Sequence, residues 1–181
     1  MTTKTYRELR EYVACFHNAD INTIYLHWSA SGYDTPSDAY HISITGDGVV
    51  HVMHPLDQIL SATWRRNTGS IAVSIMCCYD AVAYDEDNVD FGSAPPTNAQ
   101  LQAMARVICV LCEELELPID DEHVLTHAEI ADIDGYGIND DDPEMRWDLL
   151  LVQDNDGVVK PGGQVLRGMA LWYHYNPESI Q

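Results

Sequence analysis

The sequence has very little positive charge. Lysine and arginine together supply 9 residues, with lysine only at positions 4 and 160, against 29 Asp and Glu residues, and the formal net charge at pH 7 is −20. Such a surface repels polyanions, because phosphate groups are bound mainly by lysine and arginine. We therefore expect no binding to nucleic acid and no adsorption to anionic membranes.

Long hydrophobic stretches are also missing. There is no run of about 18 apolar residues, so no membrane span is expected. The first residues, MTTKTYRELREYV, lack an apolar core followed by a small-residue cleavage site, which predicts no secretory signal and a cytoplasmic location until any release. Hydrophobic residues still make up 46% of the 181 residues, so we expect one globular domain, residues 1–181, that buries about 70% of its unfolded surface.

Cysteine is sparse, and the count of five is odd. Cys109 and Cys112 form a CxxC motif, but it lies in LQAMARVICVLCEELEL, a pattern typical of an amphipathic helix, and no second pair follows. We interpret these two residues, and the adjacent Cys77 and Cys78, as buried thiols in a reduced compartment. The alternative is that the CxxC motif binds a metal or has a redox role.

Hydrophobic periodicity indicates strands that alternate with helices. Helical spacing covers TYRELREYVACFH, the stretch from Thr97 to about Glu116, PEMRWDLLLV and QVLRGMALWYHY. Strand patterns cover NTIYLHWSA, the two arms of AYHISITGDGVVHVMHP around a turn at 46–48, SIAVSIMCCYDA and HVLTH, while YDEDNVDFGSAPP is typical of a loop. This order predicts an α/β fold with a mixed central β-sheet flanked by helices, since a hairpin adds an antiparallel pair.

Two histidines, His27 and His127, lie at the ends of predicted strands. Strand ends are where α/β folds place their sites. Two neutral imidazoles and one carboxylate form a zinc site that leaves one position open for water. The stretch from Val124 to Leu150 holds eight acidic residues with Arg146 as its single basic residue, so a carboxylate is available. The residues therefore indicate a metal site, with structural histidines beside a solvated loop as the alternative.

Four motifs follow one another along the chain: IYLHWSASG, AYHISITGDGVVH, RRNTGSIAVSI and THAEIA…DDPEMRWDL. Their order resembles that of the zinc-dependent N-acetylmuramoyl-L-alanine amidases of the type 2 amidase and peptidoglycan-recognition family, over about residues 20–150. The resemblance implies a mixed central sheet flanked by helices. Outside the matched residues, we expect the helix predicted over QVLRGMALWYHY to pack on this domain. It also implies hydrolysis of the amide bond between N-acetylmuramic acid and the L-alanine that begins the stem peptide.

The resemblance further implies a set of three zinc ligands. His27 matches the first zinc histidine and His127 the second. Asp142, directly before Pro143, matches a position where members carry an Asp or Cys ligand. The competitors for the third ligand in the same loop are Asp140, Asp141 and Asp148.

The groups that handle protons are less well matched. Tyr40 corresponds to a tyrosine near the metal in some lytic members and is expected to donate to the oxyanion. Many members carry a Glu where this chain has Ser74, and a Lys where it has Asp140. Glu129 is the nearest substitute for the general base, because in an extended HAE segment it points the same way as His127. The alternative is that Glu129 forms a cap or a salt bridge in the loop.

Four residues near the motifs are candidate substrate contacts. Trp28 and Trp64 flank the site in the sequence and are expected to stack on sugar faces, unless they belong to the core. Arg66 is expected to bind carboxylates of the stem peptide, because a guanidinium fork suits a carboxylate. The alternatives are that Arg66 neutralises the acidic surface and that Asn67 beside it forms the turn into the next strand.

The expected function is a zinc amidase acting on peptidoglycan, in the role of a phage or prophage endolysin. Zn²⁺ is the expected cofactor, peptidoglycan or a muropeptide the expected partner, and a monomer the expected state. The net charge opposes attraction to an anionic wall, although salt at 1 M shortens the Debye length to about 3 Å. One alternative is a module that binds muropeptide without cutting it, favoured by the missing strand Glu. The least favoured alternative is a cysteine hydrolase that uses Cys77 or Cys78.

Overall fold

A six-stranded mixed sheet forms the centre of the computed structural model, which describes residues 1–153 and 157–180. Within these residues the strands are β1 (Thr2–Thr3), β2 (Thr23–Trp28), β3 (Ile42–Ile44), β4 (Val50–Val52), β5 (Ser70–Ile75), β6 (Val82–Asp85), β7 (Asn88–Asp90), β8 (Val124–Thr126), β9 (Leu151–Gln153) and β10 (Val159–Pro161). The order in the central sheet is β1-β4-β3-β5-β2-β8, while β6 pairs with β7 and β9 pairs with β10 separately.

The central sheet combines parallel strands with one antiparallel edge. Strands β3, β5, β2 and β8 run parallel, and the β3–β4 hairpin and β1 add the antiparallel pairs. All six residues of β5 are buried, which confirms the predicted central strand. The turn predicted at 46–48 is present, and Gly48 has φ +83°, a left-handed conformation that glycine adopts without a Cβ clash.

Four α-helices in the described residues flank the sheet: α1 (Tyr6–Val13), α2 (Asn98–Glu114), α3 (His127–Asp134) and α4 (Gly162–Tyr175). Short 3₁₀ turns follow α1 at Ala14–Phe16 and α4 at Pro177–Ser179. Helices α1, α2 and α3 each begin after a threonine that closes a capping box with the residue three positions on. The box satisfies backbone amides that a helix start leaves unpaired.

The two faces of the sheet are packed differently, as the alternation along β2 shows. Every second residue of β2 joins the main core with α1, α2 and α4: Ile24, Leu26 and Trp28. Tyr25 and His27 point to the other face, where Tyr25 clusters with Leu125 and with Ile130 of α3. A one-residue slip of β2 would turn His27 into the main core and turn the apolar side chains out of it. Each apolar side chain that leaves the core would lose about 1.5–3 kcal/mol of burial free energy. The core therefore fixes the direction of His27.

Several segments differ from the sequence prediction: α3 and β10 lie where loops were expected, and two further differences are as follows. Residues 143–150 form turns instead of the predicted short helix, and Leu149 has φ +59°, a left-handed conformation that interrupts a right-handed helix. The acidic segment predicted as a loop contains the β6–β7 hairpin. Its residues are mostly exposed, so the alternation that identifies a half-buried strand is weak there.

The cysteines and the last helix lie where the sequence predicts them. Helix α4, the last α-helix of the described residues, packs on α2. All five cysteines are free thiols, and four of them are buried: Cys77, Cys78, Cys109 and Cys112. Among the described residues, no helix has the length and apolar character needed to cross a bilayer.

Candidate metal centre

The parallel pairing of β2 and β8 brings the two predicted histidines together at the C-terminal ends of these strands. Strand β2 pairs with β8 so that Leu26 lies opposite Thr126, and the next residues along the chain are His27 and His127. His127 is also the first residue of α3. The two imidazole ring centroids lie 4.6 Å apart with the ring planes at 69°.

A carboxylate completes the group. The Nδ1 atoms of His27 and His127 each lie 3.2 Å from the same oxygen, Oδ2 of Asp148. His27 is 1% exposed and His127 is 5% exposed, so both rings are removed from solvent. Of the described residues, these three form one of two groups whose metal-ligating atoms all lie within 4.8 Å of one another.

The separations in this group suit a zinc ion. With Zn–N and Zn–O bonds of about 2.0–2.2 Å in a tetrahedral site, a nitrogen and an oxygen ligand are about 3.3 Å apart. The observed Nδ1–Oδ2 separations of 3.2 Å are already close to that value. Two imidazoles and a carboxylate are also a donor set that zinc prefers.

Burial and charge set protonation states that suit cation binding. Burial lowers the pKa of His27, and its hydrogen bond to Asp148 only partly opposes this shift. Burial alone would raise the pKa of Asp148, but hydrogen bonds with His127 and His27 outweigh it and hold that pKa well below its usual range. At neutral pH the group therefore presents a neutral His27 and an ionised carboxylate, as a bound cation requires.

Asp148, and not the expected Asp142, is the carboxylate that joins the histidines. The backbone oxygen of Asp148 accepts a hydrogen bond from the amide of Ala128 at 3.1 Å. The ring of Trp147 packs edge-on against Trp28, with centroids 5.1 Å apart. These contacts dock the end of the acidic loop at the sheet edge. Asp142 lies earlier in the loop, where Oδ1 accepts a hydrogen bond from the backbone amide two residues on.

A buried threonine that sequence reasoning missed orients His27. Oγ1 of Thr63 lies 3.1 Å from Nε2 of His27. The loop that carries Thr63 is held by Asn67, whose Oδ1 accepts the amide hydrogens of Ala62 at 3.1 Å and Thr63 at 2.8 Å. Because Nε2 of His27 is engaged, Nδ1 is left for a cation. A single threonine in a polar connection carries no sequence signal for this role.

Thr63→Val is expected to weaken zinc binding about 10–100-fold without unfolding the protein, since groups that hydrogen-bond a metal ligand contribute about that much to affinity. Valine has nearly the size of threonine but cannot bond Nε2 of His27. Competition with a chromophoric chelator measures the affinity, and Thr63→Ser, which keeps the hydroxyl, is the matched control. Equal affinities of T63V and the unmodified protein would show that the hydroxyl does not orient the ring.

Tyr40 and Ser74 lie beside His27. The Tyr40 ring centroid is 5.1 Å from that of His27, although Tyr40 precedes β3 and is not part of it. Burial, with the charge of Asp148 adding to it, raises the pKa of Tyr40 to about 12, so the phenol keeps its proton at neutral pH. Ser74 is the β5 residue opposite His27 and is fully buried. The strand position beside the ligand therefore carries no carboxylate.

Glu129 does not have the conformation assumed for a general base. Helix α3 begins at His127, so HAE is helical and its side chains do not share a strand face. The carboxylate of Glu129 accepts two hydrogen bonds from Arg167, each 2.8 Å long, and one from the amide of Thr126, also 2.8 Å long. The extended HAE segment on which the prediction of Glu129 as the base depended is therefore not present. The contacts of Glu129 correspond to the alternative, a cap combined with a salt bridge.

The three remaining proposed substrate contacts, Trp28, Trp64 and Arg66, differ in their exposure and in their partners. Trp28 is 4% exposed and belongs to the core, although it is among the residues that line the cavity beside His27. Trp64 is 52% exposed, and the guanidinium of Arg65 lies 4.1 Å from its ring centroid. Arg66 donates to both carboxylate oxygens of Asp134, at 2.9 and 2.6 Å, so it is committed to an ion pair. Trp64 therefore keeps an exposed ring without a carboxylate partner, while the 41% exposed side chain of Arg66 is already paired.

Two cavities adjoin the ligand group. One, of about 700 Å³, is lined by residues that include Trp64, Asn67 and His127. The other, of about 440 Å³, is lined by residues that include His27 and Tyr40. Because His127 lines both, the two cavities meet at the candidate metal centre.

Arg146 also lines both cavities, and sequence reasoning did not select it. Its guanidinium donates to the backbone oxygens of Glu144 at 2.5 Å and Met145 at 3.0 Å, which holds it against its own loop. The sequence signal for a role of Arg146 is that it is the single basic residue among eight acidic residues between positions 124 and 150.

Comparison with known proteins assigns a family to most of this chain. Residues 5–144 match the model of a family described as N-acetylmuramoyl-L-alanine amidase, a span that includes both histidines and ends before Asp148. No curated protein matches the chain.

Several solved structures are similar to this one at low identity. The endolysin N-acetylmuramoyl-L-alanine amidase LysCS from Clostridium intestinale URNW is 15% identical, with a TM-score of 0.46, over 61% of this chain and 71% of that one. The Ph2119 endolysin from the Thermus scotoductus MAT2119 bacteriophage Ph2119 is 18% identical, with a TM-score of 0.45, over 60% and 72%. The Drosophila peptidoglycan recognition protein SD is 15% identical, with a TM-score of 0.43, over 59% and 69%.

Proposed function

Because this chain belongs to the N-acetylmuramoyl-L-alanine amidase family, we propose that it uses zinc to hydrolyse the amide bond between N-acetylmuramic acid and L-alanine in peptidoglycan. The observation that carries the proposal is the convergence of the Nδ1 atoms of His27 and His127 on Oδ2 of Asp148, each at 3.2 Å. Two imidazoles and one carboxylate are the protein ligands of known zinc hydrolases.

The chain's own residues have separate tasks in this reaction. His27, His127 and Asp148 would hold the ion through the three atoms that already converge. Zinc bound there polarises the scissile carbonyl and lowers the pKa of the attacking water towards about 7. Thr63 keeps the His27 ring in place, and Tyr40 presents a protonated phenol beside it for the oxyanion that develops on the carbonyl.

Tyr40→Phe is expected to lower kcat about 10²–10³-fold while zinc stays bound, because removal of one oxyanion donor has an effect of that size. Release of L-alanine-ended peptides from peptidoglycan measures kcat, and metal analysis measures zinc. Tyr33→Phe is the matched control, since that hydroxyl donates to the backbone oxygen of Pro95. An unchanged kcat in Y40F would remove Tyr40 from the reaction.

We assign the proton acceptor to the acidic loop on the cavity wall. A serine stands beside His27 on the neighbouring strand, and Glu129 is bound by an arginine. Asp142 and Glu144 line the same cavity as the second histidine. Glu144 forms an ion pair with Arg146 at 3.1 Å, which leaves Asp142 as the carboxylate that takes the proton and returns it to the leaving amine.

The same cavity suits a glycopeptide. The exposed Trp64 ring offers an apolar face to a sugar. The Arg146 guanidinium, which pairs with Glu144 at 3.1 Å, would exchange that partner for a carboxylate of the stem peptide. We further propose that residues 1–181 act as one catalytic domain, in the setting of a phage or prophage endolysin. A single core cluster that draws residues from Leu9 to Tyr173 supports the single domain.

A peptidoglycan-binding module without catalysis is the second candidate. The observation that favours it is Ser74, which stands opposite His27 where a carboxylate would serve as a base. The complete ligand group at His27, His127 and Asp148 favours the enzyme, because a binder has no need of it.

Zinc analysis and peptide release from peptidoglycan, with and without a chelator, test the proposal. We expect His27→Ala to lose the equivalent of zinc that the first centre holds in the unmodified protein, and release that stops with chelator and returns with added zinc. Zinc and muropeptide binding without release would establish the binding module instead. Equal zinc contents of H27A and the unmodified protein would overturn the metal centre.

A further inference from the structure

A second group of metal-ligating side chains lies between α2 and α4, on the side of the sheet that carries the main core. Cys109 and Glu113 are one helical turn apart on α2, so their side chains lie on the same face. His174 lies in the last turn of α4, which packs on α2. This is the other group, within the described residues, whose ligating atoms all lie within 4.8 Å of one another.

The atoms of this group converge on one carboxylate oxygen. Sγ of Cys109 lies 3.5 Å from Oε1 of Glu113, and Nδ1 of His174 lies 2.9 Å from the same Oε1. In a tetrahedral zinc site with Zn–S of about 2.3 Å and Zn–O and Zn–N of about 2.0–2.2 Å, the expected separations are about 3.5 Å for S and O and about 3.3 Å for N and O. The first separation already has that value, and the second needs a shift of a few tenths of an ångström.

We propose that Cys109, Glu113 and His174 bind a transition-metal dication of the zinc class, which links α2 to α4 at a site separate from the candidate active centre. A thiolate and an imidazole select zinc or cobalt over magnesium or calcium, which prefer oxygen ligands. The CxxC motif contributes one ligand only. Cys112 is directed elsewhere, with Sγ 3.9 Å from the backbone oxygen of Pro118.

A neighbouring arginine orients the carboxylate. Arg10 donates to Oε2 of Glu113 at 2.6 Å and to Oε1 of Glu114 at 2.7 Å. Its hydrogen bond occupies the oxygen that does not face Cys109 and His174. Burial alone would raise the pKa of Glu113, but the bonds from Arg10 and His174 outweigh it and hold that pKa below its usual value. The carboxylate is therefore ionised and held with Oε1 towards the other two ligands, as outer hydrogen bonds do in metal sites.

Access and protonation are compatible with metal entry. The His174 side chain is 45% exposed, so a hydrated ion can reach the group from solvent, while Cys109 is fully buried beneath it. Burial raises the pKa of Cys109 to about 12, with the charge of Glu113 adding to the shift. The free group therefore holds a thiol, and metal binding releases its proton to solvent as the sulfur–metal bond forms.

Titration of the full chain with Co²⁺ tests the proposal, because cobalt bound to a thiolate shows a near-ultraviolet charge-transfer band that histidine and carboxylate ligands do not produce. We expect the amplitude of the band to correspond to one thiolate-bound Co²⁺ per chain and to saturate by two added equivalents, since the first centre also takes the ion. Cys109→Ala should abolish it and His174→Ala should weaken it at least tenfold in apparent affinity. Cys112→Ala is the matched control, since it removes a buried thiol from the same helix and should keep the band.

The outcomes separate this site from the proposed active centre. A band that is absent from the unmodified protein, or that is lost in C112A and kept in C109A, would overturn the proposal and leave a hydrogen-bonded network around Glu113. Loss of the band in C109A with amidase activity unchanged would support two independent sites. The first centre contains no cysteine. If the proposed function were wrong, zinc-dependent amidase activity would be absent, while the cobalt–thiolate band would still appear.

Discussion

Asp148→Asn is expected to abolish stoichiometric zinc binding at the candidate active centre and to lower amidase activity by more than about 100-fold. That bound follows because loss of a group that only hydrogen-bonds a ligand already costs about 10–100-fold. Asp148 supplies the one oxygen on which both Nδ1 atoms converge at 3.2 Å, and it carries the negative charge of the group. Zinc analysis after gel filtration and peptide release from peptidoglycan measure the two effects.

Asp142→Asn is the matched control for this substitution, because it makes the same chemical change in the same acidic loop. It should keep the zinc of the first centre, and if Asp142 accepts the proton it should lose about 10²–10⁴-fold in rate. The paired variants thus distinguish a ligand from a base. Normal zinc in D148N together with lost zinc in D142N would instead restore Asp142 as the third ligand.

The strands and the two histidines could be predicted because their signals are local. NTIYLHW and SIAVSI are apolar runs of strand length, and both form buried parallel strands. His27 follows from its position at the end of the first run, and its direction follows from the alternation of β2. The fold class depends on the same runs and on the hairpin turn at 46–48, so it too was predictable.

The third ligand could not be predicted because it depends on the path of a loop. Four aspartates compete for the position: Asp140, Asp141, Asp142 and Asp148. Asp141 and Leu149 both adopt positive φ, at +53° and +59°. Aspartate adopts this conformation more often than most residues, but leucine is not a residue type from which it is expected. The docking of Trp147 against Trp28 then decides which carboxylate reaches the histidines, and that contact joins residues far apart in sequence.

The role of Glu129, in contrast, was readable from the sequence. Thr126-His-Ala-Glu129 has the spacing of a capping box, in which a threonine and a glutamate three residues later close a helix start. The sequence also allowed Glu129 as a base in an extended segment, so the two interpretations differed in whether a helix starts at this point. The observed box, with Glu129 accepting the amide hydrogen of Thr126, shows that the local signal was the stronger one.

Glu129→Gln is expected to lower the free energy of unfolding by about 1.5–3 kcal/mol, the size of a lost hydrogen bond to a charged group. The substitution leaves Arg167, whose side chain is 15% exposed, without its ionic partner. The loss of activity per folded molecule should be smaller than the roughly 10²-fold loss that removal of a general base causes. Denaturant unfolding and kcat, corrected for the folded fraction, measure the two quantities.

The double variant Glu129→Gln with Arg167→Met is the control for the ion pair. Methionine removes the buried charge at similar length, so the second substitution should cost less in the E129Q background than alone. A fully stable E129Q with a 10²-fold or larger loss of kcat would return Glu129 to the reaction as its base. The opposite pattern, lost stability with retained turnover, would place Glu129 in the support of α3. Since α3 begins at His127, the bond between Glu129 and Arg167 then acts on catalysis only by holding the helix that carries a zinc ligand.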